Sequence, residues 1–379
     1  MTERLFDRNS FIKEFRATVT QCLDREDRFA VVLDQTAFFP EGGGQRGDTG
    51  FLNENRVLDT QEEDGVIYHS MKKPLPVNHL VAGKIDWEQR FSRMQNHTGE
   101  HIISGLVNRL YGYHNVGFHL NDEEVTMDYD GFLDETALQK IELLANQVIA
   151  EDIPIKAWYP EKPEEIVYRS KRALTGKIRL VEIPGVDVCA CCAPHVERTG
   201  QVGMLKLTEA QRYKGGIRLH MKCGFRALYE IREYRRCLEQ LSRLLSLPWA
   251  ETVQGVEKLK RRLVESEWKY QQTALLLLKE QLAQKEYRGG NLCVFISDEA
   301  LLKEAAAIVK EKCSGIAGVF CGSDEAGYRY MILSSSFLSC EKKAEIQAAL
   351  RARGGGDSFV LQGHANQCRK EIEKYFFTE

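Results

Sequence analysis

Long apolar segments are missing from this sequence of 379 residues. Its longest purely apolar stretches, such as residues 274–278, are far shorter than the ~20 residues that a membrane-spanning helix needs. The first residues (MTERLFDRNSF) also lack the apolar core of a secretory signal. The sequence therefore predicts a cytoplasmic protein with no membrane partner.

The chain also has few cysteines and no excess of charge of one sign. Eleven cysteines in 379 residues are too few for a disulfide scaffold, so we expect free thiols or metal ligands in a reducing compartment. Fifty-two Lys and Arg residues against 55 Asp and Glu residues give a net charge of -3. This balance excludes a globally basic nucleic-acid-binding protein, but it allows a local basic surface.

The length corresponds to two or three domains, and the patterns along the chain predict an α+β multidomain protein. Residues 1–85 contain short strand patterns, turn residues and a glycine cluster, which predict a small β-barrel-like domain. Residues 86–224 combine several strand patterns with two helical patterns. One predicted helix ends before Gly112, and the other begins at Asp134. This segment is predicted to form an α+β domain.

The last third of the chain divides into two further segments. Residues 225–287 are almost entirely helical in pattern, with a break near Pro248 and an apolar stripe of roughly heptad spacing. They predict a coiled-coil-like arm that buries its stripe only against another helix, either its own second half or a second subunit. Residues 288–379 alternate strand and helix patterns, which predict a small α/β domain.

Two clusters of histidine and cysteine indicate a metal site. His97 and His101 are four residues apart, which places both imidazoles on one face of the predicted helix. Three thiols and an imidazole follow within residues 189–195 (CACCAPH), more than the packing of a core requires. Two histidines together with a Cys/His pair form a ligand set suited to zinc.

Glu100 allows a competing interpretation of the first cluster. The sequence HTGEH fits the HxxEH pattern of some zinc metalloproteases, in which the glutamate is the general base. Glu100 is therefore a candidate catalytic residue. The alternative is a solvated helix residue that points away from the metal, because neighbouring positions on a helix diverge by ~100°.

Four blocks of the sequence resemble alanyl-tRNA synthetases and their free-standing editing relatives of the AlaX type. Residues 34–45 (DQTAFFPEGGGQ) resemble their glycine-rich motif, residues 97–101 their HxxxH half-site and residues 191–195 their CxxxH half-site. Residues 353–363 resemble the glycine-rich signature of the DHHA1 domain. The blocks occur in the family's order, and no aminoacylation domain is recognised before residue 30.

The resemblance implies a trans-editing protein with a zinc-containing editing domain at residues 86–224 and a DHHA1-like tail. Such a protein removes serine or glycine from mischarged tRNA specific for alanine, by hydrolysis of the aminoacyl ester. The implied zinc ligands are His97, His101, Cys191 and His195, with Cys189 and Cys192 as alternative thiols. The implied tail binds tRNA and holds a homodimer.

Further candidates surround this implied site. Substrate contacts are expected from glycines that permit close approach of the backbone and from side chains able to bond a seryl hydroxyl: Thr36, Gly42, Gly43, Gly44, Gln45 and Thr98. Contacts to tRNA phosphates are expected from basic and glycine-rich segments: Arg169, Lys171, Arg172, Arg353, Gly354, Gly355 and Gly356. Two other functions stay open, namely an HxxEH zinc metalloprotease and a non-catalytic tRNA-binding module with a structural zinc.

Overall fold

The computed structural model describes residues 2–122, 125–170, 177–284 and 290–377. Two of the candidate tRNA contacts, Lys171 and Arg172, lie outside these residues, as does the predicted end of the helical arm. The contacts divide the chain into two compact units, Met1–Glu239 and Gln240–Glu379. The described residues contain no helix with the length and apolarity needed to span a bilayer.

The first unit begins with a β-barrel. Six strands close on themselves in the order β2-β3-β7-β6-β5-β8, which removes the exposed edges of the sheet. Alternate residues point inward, as in β7 and β8, and Val31, Leu52, Val57 and Met71 fill the interior. The elements of this part are β1 (Glu3–Arg4), α1 (Leu5–Arg8), β2 (Glu14–Arg25), β3 (Arg28–Leu33), β4 (Gln35–Thr36), β5 (Gly50–Leu52), β6 (Asn55–Glu63), β7 (Val66–Met71) and β8 (Leu80–Ile85).

Helices α2 and α3, two small sheets and the first part of α4 complete the first unit. The sheets have the orders β14-β15-β10-β9 and β11-β12-β13. Short 3-10 helices lie at Pro163–Glu165 and Thr199–Val202. The elements are α2 (Trp87–Tyr111), β9 (Asn115–Leu120), β10 (Val125–Tyr129), α3 (Glu135–Ala150), β11 (Lys156–Trp158), β12 (Leu180–Ile183), β13 (Asp187–Ala190), β14 (Leu205–Tyr213), β15 (Gly216–Cys223) and α4 (Phe225–Leu245).

The two predicted helix boundaries of this region are confirmed. Helix α2 ends because Gly112 adopts the left-handed conformation (φ 72°) and its N–H bonds the carbonyl of Asn108. Helix α3 begins after Asp134, whose carboxylate accepts a hydrogen bond from the Ala137 N–H. From Met94 to Val107 every side chain of α2 is buried, so this helix is the centre of the unit rather than a surface helix.

A buried ion pair joins the barrel to α2. The Arg90 guanidinium donates to the Asp48 carboxylate at 2.7 Å from Nε, and both side chains are almost fully buried. Arg90 also bonds the carbonyl of Ala37 at 2.6 Å, and Arg93 bonds the carbonyl of Gly47 at 2.7 Å. These contacts explain why the segments predicted as 1–85 and 86–224 belong to one compact unit.

The second unit is a sheet with helices. Its five strands follow the order β16-β17-β18-β20-β19, and short 3-10 helices lie at Trp249–Glu251 and Glu299–Leu301. The elements are α5 (Thr252–Ala283), β16 (Leu292–Ile296), α6 (Leu302–Lys310), β17 (Ile316–Ser323), β18 (Gly327–Ser334), α7 (Cys340–Ala349), β19 (Ala352–Gly355), β20 (Val360–Ala365) and α8 (Arg369–Phe377).

The glycine-rich segment of this unit is a strand, which sequence reasoning missed. Arg353, Gly354 and Gly355 lie in β19 at the edge of the sheet and pair with β20. A Cβ on Gly354 would lie 2.0 Å from the carbonyl oxygen of Gln362, and one on Gly356 would lie 1.9 Å from that of Val360. These glycines therefore allow two strands to approach closely, whereas the sequence suggested a phosphate-binding loop or a turn.

The apolar stripe of α5 lies open on the single chain. Its members Val256, Leu259, Leu263, Tyr270 and Leu277 are 49 to 60% exposed. Both ends of the helix are covered: Thr252 and Gly255 are buried at its start, and Leu278 and Leu282 contact the cluster that contains α6 at its end. The predicted break near Pro248 is present between α4 and α5. Among the described residues of the second unit, the middle of the stripe therefore has little cover.

Candidate metal centre

The structure brings the four implied metal ligands together. His97 and His101 project from α2, while Cys191 and His195 follow β13. Their ligand atoms all lie within 4.8 Å of one another. The Cys191 Sγ atom is 3.5 Å from His97 Nε2 and 3.4 Å from His195 Nε2.

These distances fit a tetrahedral zinc ion. An ion bound at about 2.3 Å from sulfur and about 2.0–2.1 Å from nitrogen places those two ligand atoms about 3.5 Å apart. Three imidazoles and one thiol also form a donor set of the mixed softness that zinc accepts. Burial, together with the neighbouring thiols Cys192 and Cys189, raises the pKa of the Cys191 thiol above its ordinary value. A cation that stabilises the thiolate would offset this cost.

Each of the three histidines has an oxygen partner at Nδ1. His97 Nδ1 lies 3.0 Å from Gln45 Oε1, and His195 Nδ1 lies 3.0 Å from the Thr98 hydroxyl. His101 Nδ1 lies 3.1 Å from Asp187 Oδ2. The Gln45 and Asp187 oxygens can only accept, so at His97 and His101 they favour the tautomer that leaves Nε2 unprotonated and available to a metal. The Thr98 hydroxyl can accept from Nδ1 of His195 in the same way.

This arrangement changes the interpretation of three candidate substrate contacts. Gln45 and Thr98 are fully buried, and their oxygens contact ligand histidines. Thr36 is also fully buried, and its hydroxyl bonds His69 Nε2 at 2.8 Å within the first unit. None of the three is among the described residues that line the cavity at the metal ligands.

Glu100 is buried in a polar network, so its interpretation as a solvated helix residue is wrong. Its Oε1 accepts hydrogen bonds from the Ser104 hydroxyl at 2.7 Å and from the Asn115 amide at 2.6 Å. Ser104 in turn bonds the hydroxyl of Tyr129 at 2.8 Å. Its Oε2 is 3.8 Å from His101 Nε2, and Glu100 is not among the described residues of the cavity lining.

A cavity of about 480 Å³ opens at the metal ligands, a volume typical of a small-molecule site. His97, His101 and Cys191 line it, together with Gly43 and Gly44. The segment from Gly42 to Gln45 is a tight turn, closed by two backbone hydrogen bonds of 3.0 Å. Gly44 has a φ of 82°, and a Cβ there would lie 2.7 Å from the carbonyl oxygen of Phe118. The absence of a side chain at Gly44 therefore allows the turn to pack closely against β9. At Gly43 and Gly44 it also leaves bare backbone in the cavity wall.

The cysteines beside Cys191 occupy different environments. Cys189 is buried and forms a second group of potential ligands with His101 and Asp187. Cys192 is exposed and lines the cavity. Neither belongs to the group of four that contains Cys191 and all three histidines.

The candidate tRNA contacts also include both buried and exposed residues. The Arg169 guanidinium pairs with both oxygens of Asp187, at 2.6 Å and 2.8 Å, and is largely buried. This prediction needs correction, because a guanidinium held by a buried carboxylate is not available to a phosphate. Arg353 is exposed at the sheet edge. A second cluster of basic residues is exposed on α5: Lys258, Lys260, Arg261 and Arg262.

Sequence reasoning missed Asp187, although a signal was present. Residues 187 and 189 alternate with outward-facing residues along β13, and both are buried. A period of two places them on the same face of the strand, and that face leads directly to Cys191. The carboxylate could thus have been assigned to the metal cluster by strand periodicity.

Comparison with known proteins gives matches in both halves of the first unit. Residues 4–89 match the family described as tRNA synthetases class II (A). Residues 178–220 match the family described as threonyl and alanyl tRNA synthetase second additional domain. The first match covers the barrel, and the second includes Cys191 and His195.

The individual proteins that resemble this chain are an alanyl-tRNA editing protein and alanine–tRNA ligases, in agreement with the two matched families. An alanyl-tRNA editing protein, AlaX-L, of Pyrococcus horikoshii is 34% identical over 248 residues, which cover 62% of this chain and 61% of the relative. The alanine–tRNA ligase of Methanococcus vannielii is 25% identical over 404 aligned positions, which cover 99% of this chain and 43% of the ligase. The ligase of Ignicoccus hospitalis is 34% identical over 277 residues, 69% of this chain and 30% of the ligase.

The chain thus spans 61% of the length of the editing protein and less than half of the ligases. The resemblance predicted from the sequence is confirmed: the chain is related to alanyl-tRNA editing proteins and to the corresponding part of alanine–tRNA ligases.

The contacts of Thr98 generate a test of its role. If the Thr98 hydroxyl holds His195, Thr98→Val weakens zinc binding about 10–100-fold, the usual cost of losing a partner of a metal ligand. Thr36→Val is the matched control, because it removes another buried Thr–His hydrogen bond from the same unit. Zinc affinity is measured by competition with a chromogenic chelator. Equal affinities in the two variants would contradict this role.

Proposed function

We propose that the chain is a zinc-dependent aminoacyl-tRNA deacylase that removes serine, and also glycine, from tRNA specific for alanine. The observation that carries the proposal is the group of three histidines and one cysteine at a cavity of about 480 Å³. Its support from relatives is the similarity to an alanyl-tRNA editing protein.

The protein's own residues would hold the ion and shape the space beside it. His97, His101, Cys191 and His195 would bind zinc, while Gln45 and Thr98 fix the orientation of two of the imidazoles. A bound zinc supplies an electrophile that polarises or positions an ester, or lowers the pKa of a water. Gly43 and Gly44 present bare backbone to the cavity, so a ribose or an aminoacyl group can approach closely.

Discrimination between serine and alanine needs polar groups in the cavity. An apolar pocket rejects an added hydroxyl only by about a hundredfold, whereas a site that bonds the hydroxyl discriminates strongly against the analogue without it. Since Gln45 and Thr98 contact histidines, the recognition of the seryl hydroxyl falls to groups on the cavity wall. Tyr159, Ser170 and Cys192 are polar side chains in that wall.

The second unit supplies the surfaces for the larger partners in this proposal. Four exposed cations cluster within residues 258–262 of the long helix α5, namely Lys258, Lys260, Arg261 and Arg262. They suit contact with a phosphate backbone through counterion release. The open apolar stripe of α5 suits pairing with the same helix of a second copy. The proposal is a cytoplasmic homodimer that recruits the whole tRNA through these helices.

Deacylation of defined substrates tests the proposed reaction. We expect the purified, zinc-loaded protein to hydrolyse seryl-tRNA specific for alanine, and to hydrolyse the alanyl ester at least about a hundredfold more slowly, since the missing hydroxyl removes a bond. Glycyl-tRNA, which lacks the hydroxyl as well, is assayed beside them to separate recognition of the hydroxyl from exclusion of the alanyl methyl group. Cys191→Ala should lose both bound zinc and hydrolysis. Cys237→Ala, which removes an exposed thiol of α4, should retain both. Hydrolysis no faster than in buffer would favour a non-catalytic tRNA-binding module.

The same assay separates the deacylase from an HxxEH metalloprotease. Glu100 accepts hydrogen bonds from Ser104 and Asn115, and a glutamine oxygen can accept the same two bonds. Glu100→Gln should therefore retain most of the hydrolysis, whereas removal of a general base typically costs 10²–10⁴-fold. A loss in that range with zinc still bound would assign Glu100 the role of general base, and unaltered zinc binding in Cys191→Ala would favour the protease alternative.

A further inference from the structure

A buried chain of charged groups leads from Arg169 to the metal site. The Arg169 guanidinium donates from Nε to Asp187 Oδ1 at 2.6 Å and from Nη2 to Oδ2 at 2.8 Å. Asp187 Oδ2 is also 3.1 Å from His101 Nδ1. The side chains of Asp187 and His101 are each 2% exposed, so water does not screen these contacts.

The ion pair decides between two uses of Asp187. The ligand atoms of Asp187, His101 and Cys189 lie within 4.8 Å of one another, which is close enough to hold a second cation. However, the guanidinium already bonds both carboxylate oxygens, and a metal ion there would meet a fixed positive charge. Arg169 bonds both carboxylate oxygens of Asp187, and Oδ2 also lies close to His101 Nδ1, so the carboxylate already has its partners in place.

The backbone holds this carboxylate at a fixed distance from α2. Arg169 pairs with β13 through hydrogen bonds from its own N–H to the Val188 carbonyl and from the Ala190 N–H to its carbonyl, at 2.8 Å and 2.9 Å. Gly105, one turn after His101, lies against the same strand. A Cβ on Gly105 would be 2.5 Å from the Val186 carbonyl oxygen and 2.8 Å from Asp187 Cβ. The glycine thus permits the close approach that brings His101 within reach of Asp187.

We propose that Asp187, anchored by Arg169, is a positioning residue that holds the Nδ1–H of His101 and thereby presents its Nε2 to the metal. The inference rests on the metal site of the proposed function. Gln45 and Thr98 offer neutral oxygens to His97 and His195, whereas Asp187 offers a charged one. A carboxylate at Nδ1 fixes the tautomer and makes the imidazole a stronger donor.

A matched pair of variants tests the role of Asp187. Asp128 and Arg218 form the same two-bond pair, at 2.6 Å and 2.8 Å, on a sheet of the same unit and without a contact to a metal ligand among the described residues. Asp187→Asn should weaken zinc affinity by about 10–100-fold. Asp128→Asn should change it by less than about threefold, as expected for a pair remote from the ion. Affinity is measured with zinc alone against a chromogenic chelator.

A double-mutant comparison shows whether Asp187 acts through His101. In a His101→Ala background the further change Asp187→Asn should leave zinc affinity unchanged, because the imidazole that it positions is gone. An equal loss of affinity in both backgrounds would assign Asp187 a general structural role and overturn the proposal. Failure of the unmodified protein to bind zinc would instead overturn the proposed function itself.

The unmodified protein provides a measurement that does not depend on how well a variant folds. In the zinc-loaded protein, long-range ¹H–¹⁵N correlation of the histidine rings should place the proton of His101 on Nδ1, with its ¹⁵N shift typical of a hydrogen-bonded N–H. A His101 ring protonated at Nε2 would exclude the arrangement. The same spectrum reports His97 and His195, whose Nδ1 partners Gln45 and Thr98 serve as internal references.

Discussion

The site depends on one constraint, the control of the ring protons of three buried histidines. An imidazole can bind a metal through Nε2 only when its proton resides on Nδ1, and a buried Nδ1–H requires an acceptor. An oxygen atom lies 3.0–3.1 Å from Nδ1 at all three rings, from Gln45 for His97, Thr98 for His195 and Asp187 for His101. The four ligands alone would leave their orientation undetermined, so these oxygens matter nearly as much as the ligands.

This constraint also accounts for a contact between the glycine-rich motif and α2. Gln45 belongs to the turn that ends the motif, and its partner His97 is on α2. The buried Arg90–Asp48 pair fixes that part of the chain against the helix. A buried pair contributes little stability over apolar packing, but breaking it is costly. It is therefore suited to keeping one relative position of the turn and the helix.

The sequence indicated which histidines and cysteine come together, but it did not indicate the groups around them. Two His at helical spacing and a dense Cys/His cluster predict their own chemistry, because their distances along the chain are short. Gln45 becomes a partner of His97 only through a tertiary contact with α2, so no local pattern indicates its role. The alternation of β13 places Asp187 on the face of Cys189, but the approach of Asp187 to His101 again depends on a tertiary contact with α2. The end of α2 and the start of α3 were also predictable, since Gly112 and Asp134 each act within one turn of their helix. Strand β19 was not, because glycine is a poor strand former and its pairing with β20 depends on a neighbouring segment.

The most direct measurement of this account is X-ray absorption at the zinc edge of freshly purified, chelator-free protein. Coordination by His97, His101, His195 and Cys191 predicts about three nitrogen neighbours at about 2.0–2.1 Å and about one sulfur at about 2.3 Å. The imidazoles should also give the outer-shell scattering typical of histidine ligands. A shell with two or more sulfurs would bring Cys189 or Cys192 into the site and contradict the ligand set, and the absence of bound zinc would contradict the account as a whole.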